Sequence, residues 1–160
     1  MSFVPIIMGS KSDLKHGTAI ADALTKLGVS SEIRIASAHK APLFLLELLA
    51  GYEERDDAIV YITVAGRSNA LSALVDAQVT SPVLACPPYS ERYAGADVFS
   101  SLSMPSGVAP AVVLDPKGAA LVAAKIFAIA EPELLVNIKK AHKSMSEQIL
   151  IDDVGLRIQS

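Results

Sequence analysis

Tryptophan is missing from this 160-residue chain and cysteine occurs once, at Cys86. A lone cysteine excludes an intrachain disulfide framework and a multi-cysteine metal site. Aromatic residues make up 5% and charged residues only 19%, with a formal net charge of −3. Without basic clusters or interleaved aromatics there is no nucleic-acid surface to read. Long apolar runs are missing too: the richest stretch, Gly118 to Ala124, is closed by Lys117 and Lys125, far short of the ~18 to 20 residues that span a bilayer. The opening run Phe3-Val4-Pro5-Ile6-Ile7-Met8 lacks the charged start and small-residue cleavage site of a signal peptide. The expectation is a cytoplasmic protein with no membrane and no nucleic-acid partner.

What is present in excess is hydrophobic residue, at 51% with a mean hydropathy of +0.41. With a membrane segment excluded, buried surface between subunits is the reading that remains. The length suits one domain, residues 1–160, and no repeat, low-complexity tract or linker divides it.

Strand and helix signals alternate along the chain. Phe3 to Met8 is a short apolar run bounded by Gly9, and Ala58 to Val64 is another, both patterned as buried parallel strands. Ser31 to Ala36 alternates through Glu32 and Arg34, which predicts a strand with one wetter face. Pro82 to Ala85 and Ala111 to Leu114 complete five strands. Between them, Leu14 to Leu27 carries helical spacing and ends at Gly28. Pro42 starts a helix whose apolar positions are Leu45, Leu46, Leu49 and Tyr52. A third helix begins after Asn69 and runs to about Val79. Asp115-Pro116 opens an alanine-rich helix to Ile129 that is apolar nearly all round. A last helix runs from Pro132 to about Leu150, with Leu135, Ile138, Met145 and Ile149 on one face. The pattern specifies an α/β three-layer, doubly wound parallel sheet of the flavodoxin-like kind. Only Tyr89 to Pro110 resists assignment, and long irregular stretches of this sort are usually functional loops or partner contacts.

Three polar segments follow three of these strands: Gly9-Ser10-Lys11-Ser12-Asp13, Ser37-Ala38-His39-Lys40-Ala41-Pro42 and Ala65-Gly66-Arg67-Ser68-Asn69. In an open parallel sheet the carboxyl ends of the strands share one edge, so these loops converge on one ligand. Backbone N–H groups after Gly9, with the hydroxyls of Ser10 and Ser12, suit an anion, and Asp13 suits a ribose hydroxyl. The same serines equally serve as helix caps, and Asp13 as a complement to the helix dipole. His39 is the natural general acid/base because imidazole titrates nearest working pH. Lys40 supplies charge for a phosphate. Arg67, Ser68 and Asn69 offer donors to a carboxylate or to CO₂; an ordinary helix cap with Arg67 in an ion pair uses the same residues. Cys86 before Pro87-Pro88 reads as a buried small hydrophobe rather than a nucleophile. His16 and His142 fall inside helices and read as structural or surface residues.

Taken in order, Met8-Gly-Ser-Lys-Ser-Asp13, Ser37-Ala-His-Lys40, Ala65-Gly-Arg-Ser-Asn69, Cys86-Pro-Pro88 and Ser100-Ser-Leu-Ser-Met-Pro-Ser-Gly107 resemble the family of aminoimidazole ribonucleotide carboxylases and N5-carboxyaminoimidazole ribonucleotide mutases of purine synthesis. Mutases of that family typically read Ala-Gly-Gly-Ala-Ala-His-Leu-Pro-Gly in the third loop. Here Ala70 stands in place of their second histidine, and lysine rather than arginine follows His39. Both departures resemble class II, the branch that carboxylates 5-aminoimidazole ribonucleotide (AIR) at C4 with free CO₂ to give 4-carboxy-5-aminoimidazole ribonucleotide (CAIR).

The resemblance implies a carboxy-lyase that needs neither ATP nor biotin, and no metal site is expected because three scattered histidines and one cysteine show no ligand spacing. It implies His39 as the catalytic acid/base, with Gly9, Ser10, Ser12, Asp13, Ser37, Lys40, Gly66, Arg67 and Ser68 on the substrate. Ser68 and Asn69 would hold CO₂. It further implies a homo-octamer or homo-tetramer, with the Ser100 to Gly107 loop and the C-terminal helix as contact candidates. Mutase activity on the same fold, and a non-catalytic nucleotide sensor, are the competing expectations.

Overall fold

The computed structural model describes residues 1–158. In chain order the elements are β1 (Ser2–Met8), α1 (Leu14–Leu27), β2 (Ser30–Ile35), α2 (Pro42–Glu53), β3 (Ala58–Ile59), β4 (Tyr61–Val64), α3 (Ala70–Asp76), β5 (Val83–Ala85), α4 (Phe99–Leu102), β6 (Ala111–Val112), α5 (Pro116–Phe127) and α6 (Pro132–Ile158). The strands form one parallel sheet in the order β2-β1-β4-β5-β6, with β3 also paired to β1.

β3 and β4 are the two halves of the third strand expected from sequence. Their register on β1 continues unchanged across Val60, with Phe3 opposite Ile59 and Ile6 opposite Ile62. In that register Pro5 stands opposite Tyr61, and proline has no N–H to give the Val60 carbonyl. The interruption follows from that missing donor. Counted as one strand, β3 and β4 give the 2-1-3-4-5 order of flavodoxin-like sheets, with the direction of winding reversing between β1 and β4.

Period-two alternation divides the core into two layers. Val4, Ile6 and Met8, with Ile62 and Val64, face one cluster shared with α1, α5 and α6. Ile7 and Tyr61 face the other, with Leu45, Leu49 and Tyr52 of α2 and Leu71 and Val75 of α3. Helix α1 lies close on β1, so that a Cβ on Gly17 would meet Met8 Sδ at 2.7 Å. Helix α5 is opened as expected: Asp115 accepts from Gly118 N at 2.6 Å and Pro116 occupies the first turn. Ala119, Ala120, Ala123 and Ala124 are wholly buried because α5 sits between the sheet, α1 and α6. The phenols of the second layer are satisfied at its rim, Tyr52 donating to Glu32 at 2.7 Å and Tyr61 to Glu53 at 2.9 Å.

Two helices depart from the sequence reading. Helix α3 stops at Asp76 rather than Val79. Helix α6 runs on to Ile158, and its buried positions are Leu134 and Ile138 rather than the face through Leu135, Met145 and Ile149. It docks only through its first turns, rotated by about one residue from the expected face, so Leu135 is left exposed. From His142 to Arg157 every side chain is exposed, including Met145, Ile149, Leu150, Ile151 and Val154. Among the described residues, no helix is long and apolar enough to cross a membrane.

Candidate active site

The three predicted loops meet over the carboxyl ends of β1, β2 and β4, where the winding reverses. They enclose a cleft of about 570 Å³ lined by Gly9, Ser10, Ser12 and Asp13, by Ser37, His39 and Lys40, and by Gly66, Arg67 and Ser68. Sheet register explains the convergence. Met8 is opposite Ile35 on one side and Val64 on the other, so all three strands end at one level.

In the first loop, Ser10 caps a single turn at Lys11–Asp13, accepting from Ser12 N at 3.2 Å. The Ser10 and Ser12 hydroxyls also contact each other, and both donate toward the Asp13 carboxylate at 3.5 and 3.4 Å. Capping and cleft-lining are therefore the same arrangement: the cap fixes the hydroxyls that face the cleft. In the second loop, Ser37 Oγ accepts from Lys40 N at 3.3 Å and Ser37 O from Ala41 N at 2.9 Å. That tight turn leaves His39 and Lys40 exposed at its tip.

The third loop is the least ordinary. Arg67 has a φ of 60°, in the left-handed region that side chains disfavour. A Cβ on Gly66 would lie 3.3 Å from Asp97 Oδ2 and 3.5 Å from Pro88 O, so the chain passes these neighbours closely. Asn69 corrects an expectation, because its side chain does not line the cleft. It is buried; Oδ1 accepts from Ser72 N at 3.1 Å and Ser72 Oγ at 2.8 Å, and Nδ2 donates to Ser101 Oγ at 2.8 Å. An amide whose oxygen and nitrogen are both engaged in the interior is a strut of α3, and Ser68 is the hydroxyl left facing the cleft.

Behind the first loop, His16 is half-buried on α1 with Nε2 3.3 Å from Cys86 Sγ. Burial pushes the Cys86 thiol up to about 12, and the charge of Asp115 acts in the same direction. A thiol so held is inert, so Ellman's reagent at about pH 8 is expected to label Cys86 only after denaturation; prompt labelling of the native protein would contradict its burial. Burial also holds His16 below its ordinary 6.5, against the opposing pull of Asp13, the Cys86 contact and Asp115. The unfolded chain then takes up a proton before the folded one does. Stability from His16 is complete above about pH 6.5 and is lost as pH falls toward the folded value. The denaturant midpoint is expected to drop more between about pH 8 and 5.5 in the native protein than in His16→Gln; equal drops would exclude His16 as the source.

The chain from residue 3 to residue 148 matches the family model described as AIR carboxylase. The chain belongs to the AIR carboxylase family. Among its relatives is a phosphoribosylaminoimidazole carboxylase from Treponema denticola, 47% identical over 154 residues, which cover 96% of this chain and 97% of the relative. Another, from Archaeoglobus fulgidus, carries the same name and is 49% identical over 152 residues, 95% of this chain and 83% of the relative. The crystal structure of Treponema denticola PurE superposes with a TM-score of 0.95 at 47% identity, covering 98% of this chain and 99% of that one. The family and the flavodoxin-like fold thus agree with the expectation drawn from the ordered motifs.

Sequence reasoning about this AIR carboxylase family member overlooked one wall of the cleft. Pro88, at the end of the Cys86-Pro-Pro motif, lines it as well, together with Tyr89, Ser90 and Asp97 from the stretch that no periodicity could assign. The stretch forms single turns at Glu91–Tyr93 and Ala96–Val98 before α4. Its length without regular structure was the one available signal.

Proposed function

We propose that this protein is a one-domain carboxy-lyase that reversibly carboxylates AIR at C4 with free CO₂, giving CAIR for de novo purine (IMP) synthesis, without ATP or biotin. The observation that carries the reading is the joining of His39, Lys40, Arg67 and Ser68 in one cleft with the Ser10, Ser12 and Asp13 cluster. Membership of the family supplies the substrate class.

The aminoimidazole ring is an enamine, so C4 can attack CO₂ directly. The new C4–C bond forms as the π electrons of CO₂ move to oxygen, and Ser68 and Arg67 stand ready to stabilise that charge. His39 then takes the C4 proton, the C4–H electrons restore the aromatic ring, and the proton passes to water. Decarboxylation runs the same steps backward, with His39 as the acid. Gly9, Ser10, Ser12 and Asp13 hold the ribose phosphate end, and Ser37 and Lys40 the phosphate, while Gly66 lets the backbone approach the ligand.

Ala70 supports the carboxylase over the mutase reading, since it leaves the third loop without the second histidine of mutases. The test is ultraviolet-monitored decarboxylation of CAIR without ATP, beside the N5-carboxy isomer as parallel substrate. Turnover of CAIR alone supports the carboxylase. Conversion of the N5-carboxy compound to CAIR makes the protein a mutase, and silence on both leaves a nucleotide-binding module.

We propose too that the protein is cytoplasmic and works as a homo-octamer or homo-tetramer. Phe99, Leu102 and the outer part of α6 present exposed apolar side chains of the kind that subunit contacts cover. A monodisperse monomer in light scattering would defeat that assignment.

A further inference from the structure

The turn from Asp97 to Ser101 grips the third loop by its backbone. Arg67 N donates to Asp97 Oδ2 at 2.6 Å. Two residues on, Asn69 N donates to Ser100 Oγ at 3.1 Å, and the same hydroxyl donates to Arg67 O at 2.9 Å and Asp97 O at 2.8 Å, sharing its one proton between the two carbonyls. Three backbone groups flanking Ser68 are therefore tied to two side chains some thirty residues away. The tie lies where it is needed, because Arg67 is an L-residue at a φ of 60°. A non-glycine backbone in that region persists only when its surroundings over-determine it. A charged acceptor on its own N–H is the strongest such restraint available. Asp97 also packs against Gly66, where any Cβ would come 3.3 Å from Oδ2.

We infer that Asp97 and Ser100 are positioning residues: they hold Arg67 in the left-handed conformation and so aim Arg67 and Ser68 into the cleft. The inference rests on the reading that this loop meets the substrate. It also gives the Ser100-Ser101 start of the last motif a task inside its own subunit, Ser100 on the backbone and Ser101 on the Asn69 side chain.

The experiment joins kcat/KM for CAIR decarboxylation with amide hydrogen exchange of the segment 65–71 in the ligand-free, full-length assembly. Asp97→Ala is expected to lose about tenfold or more in kcat/KM and to exchange about tenfold or more faster in that segment, the size of a lost charge-assisted hydrogen bond. Asp97→Asn keeps an oxygen acceptor and is expected to stay within about threefold of the native protein on both measures. Ser100→Ala is expected to loosen the same segment, and it carries the test together with Asp97→Asn if Asp97→Ala does not fold. Native exchange in Asp97→Ala, or a loosened loop with unchanged kcat/KM, overturns the inference. So does an Asp97→Asn variant as slow as Asp97→Ala with its loop still protected, which would mean that the carboxylate charge acts on substrate directly. If the native protein turns over neither ribonucleotide, the proposed function falls, and the exchange arm still decides whether the latch exists.

Discussion

Replacing His39 with asparagine is expected to lower kcat by about 10²- to 10⁴-fold, the usual worth of a positioned general acid/base, while the Kd for CAIR changes by less than about threefold. The site separates the two quantities. His39 is exposed at the tip of a turn that is held by Ser37 through backbone bonds to Lys40 and Ala41. Losing the imidazole therefore disturbs neither the turn nor the core. The groups proposed to bind substrate sit elsewhere along the cleft, in the serine and aspartate cluster of the first loop and in Lys40, Arg67 and Ser68. Asparagine keeps a polar side chain of similar reach but has no group that exchanges a proton near neutral pH.

Neither carboxylate in the cleft is well placed to substitute. Asp13 already accepts from two serine hydroxyls and Asp97 from Arg67 N, so each carboxylate is engaged in holding a loop. Isothermal titration for Kd and ultraviolet assay for kcat decide the matter. Unchanged kcat would remove His39 from the chemistry, and a lost Kd with kcat retained would make it a binding residue.

Much of this arrangement is legible in the residues because it depends on local signals. A buried parallel strand must be a continuous apolar run, so β1 and the joined β3 and β4 stand out. Pro42 and the Asp115-Pro116 pair mark helix starts through backbone restrictions that need no tertiary context. Once strands and helices alternate, the topology alone carries the three loops to one edge. The features that escaped depend on partners distant in sequence. The docking face of α6 is fixed by how α5 and α1 meet it, and a shift of about one residue exchanges Leu135 for Leu134 in the core. The break at Val60 needs the register of β1, which sets Pro5 beside it. Asp97 reaches the cleft only because its carboxylate meets a backbone N–H thirty residues earlier, a contact with no period to announce it.

Asn69 is the sharpest instance, and its truncation supplies the second large effect. In sequence it is the neighbour of Ser68 at the end of a polar loop; in the fold its side chain turns inward to a wholly buried chain of Thr63, Ser72 and Ser101. Asn69→Ala is expected to cost about 2–4 kcal/mol of folding stability. About 1 kcal/mol is the lost cap on α3. The remainder is the loss of the Asn69 partner to the buried Ser72 and Ser101 hydroxyls, each worth about 1–3 kcal/mol if wholly unmet, with Ser72 keeping Thr63 as a partner. Ser68→Ala, on an exposed residue, is expected to stay within about 0.5 kcal/mol of the native stability and to show its effect in the dependence of rate on CO₂ instead. Denaturant midpoints for both variants, set beside rates at varied bicarbonate, read the two roles separately. Native stability in Asn69→Ala together with a weakened response to CO₂ would turn Asn69 back into a ligand for CO₂, because a residue that carries no structural load is free to meet substrate.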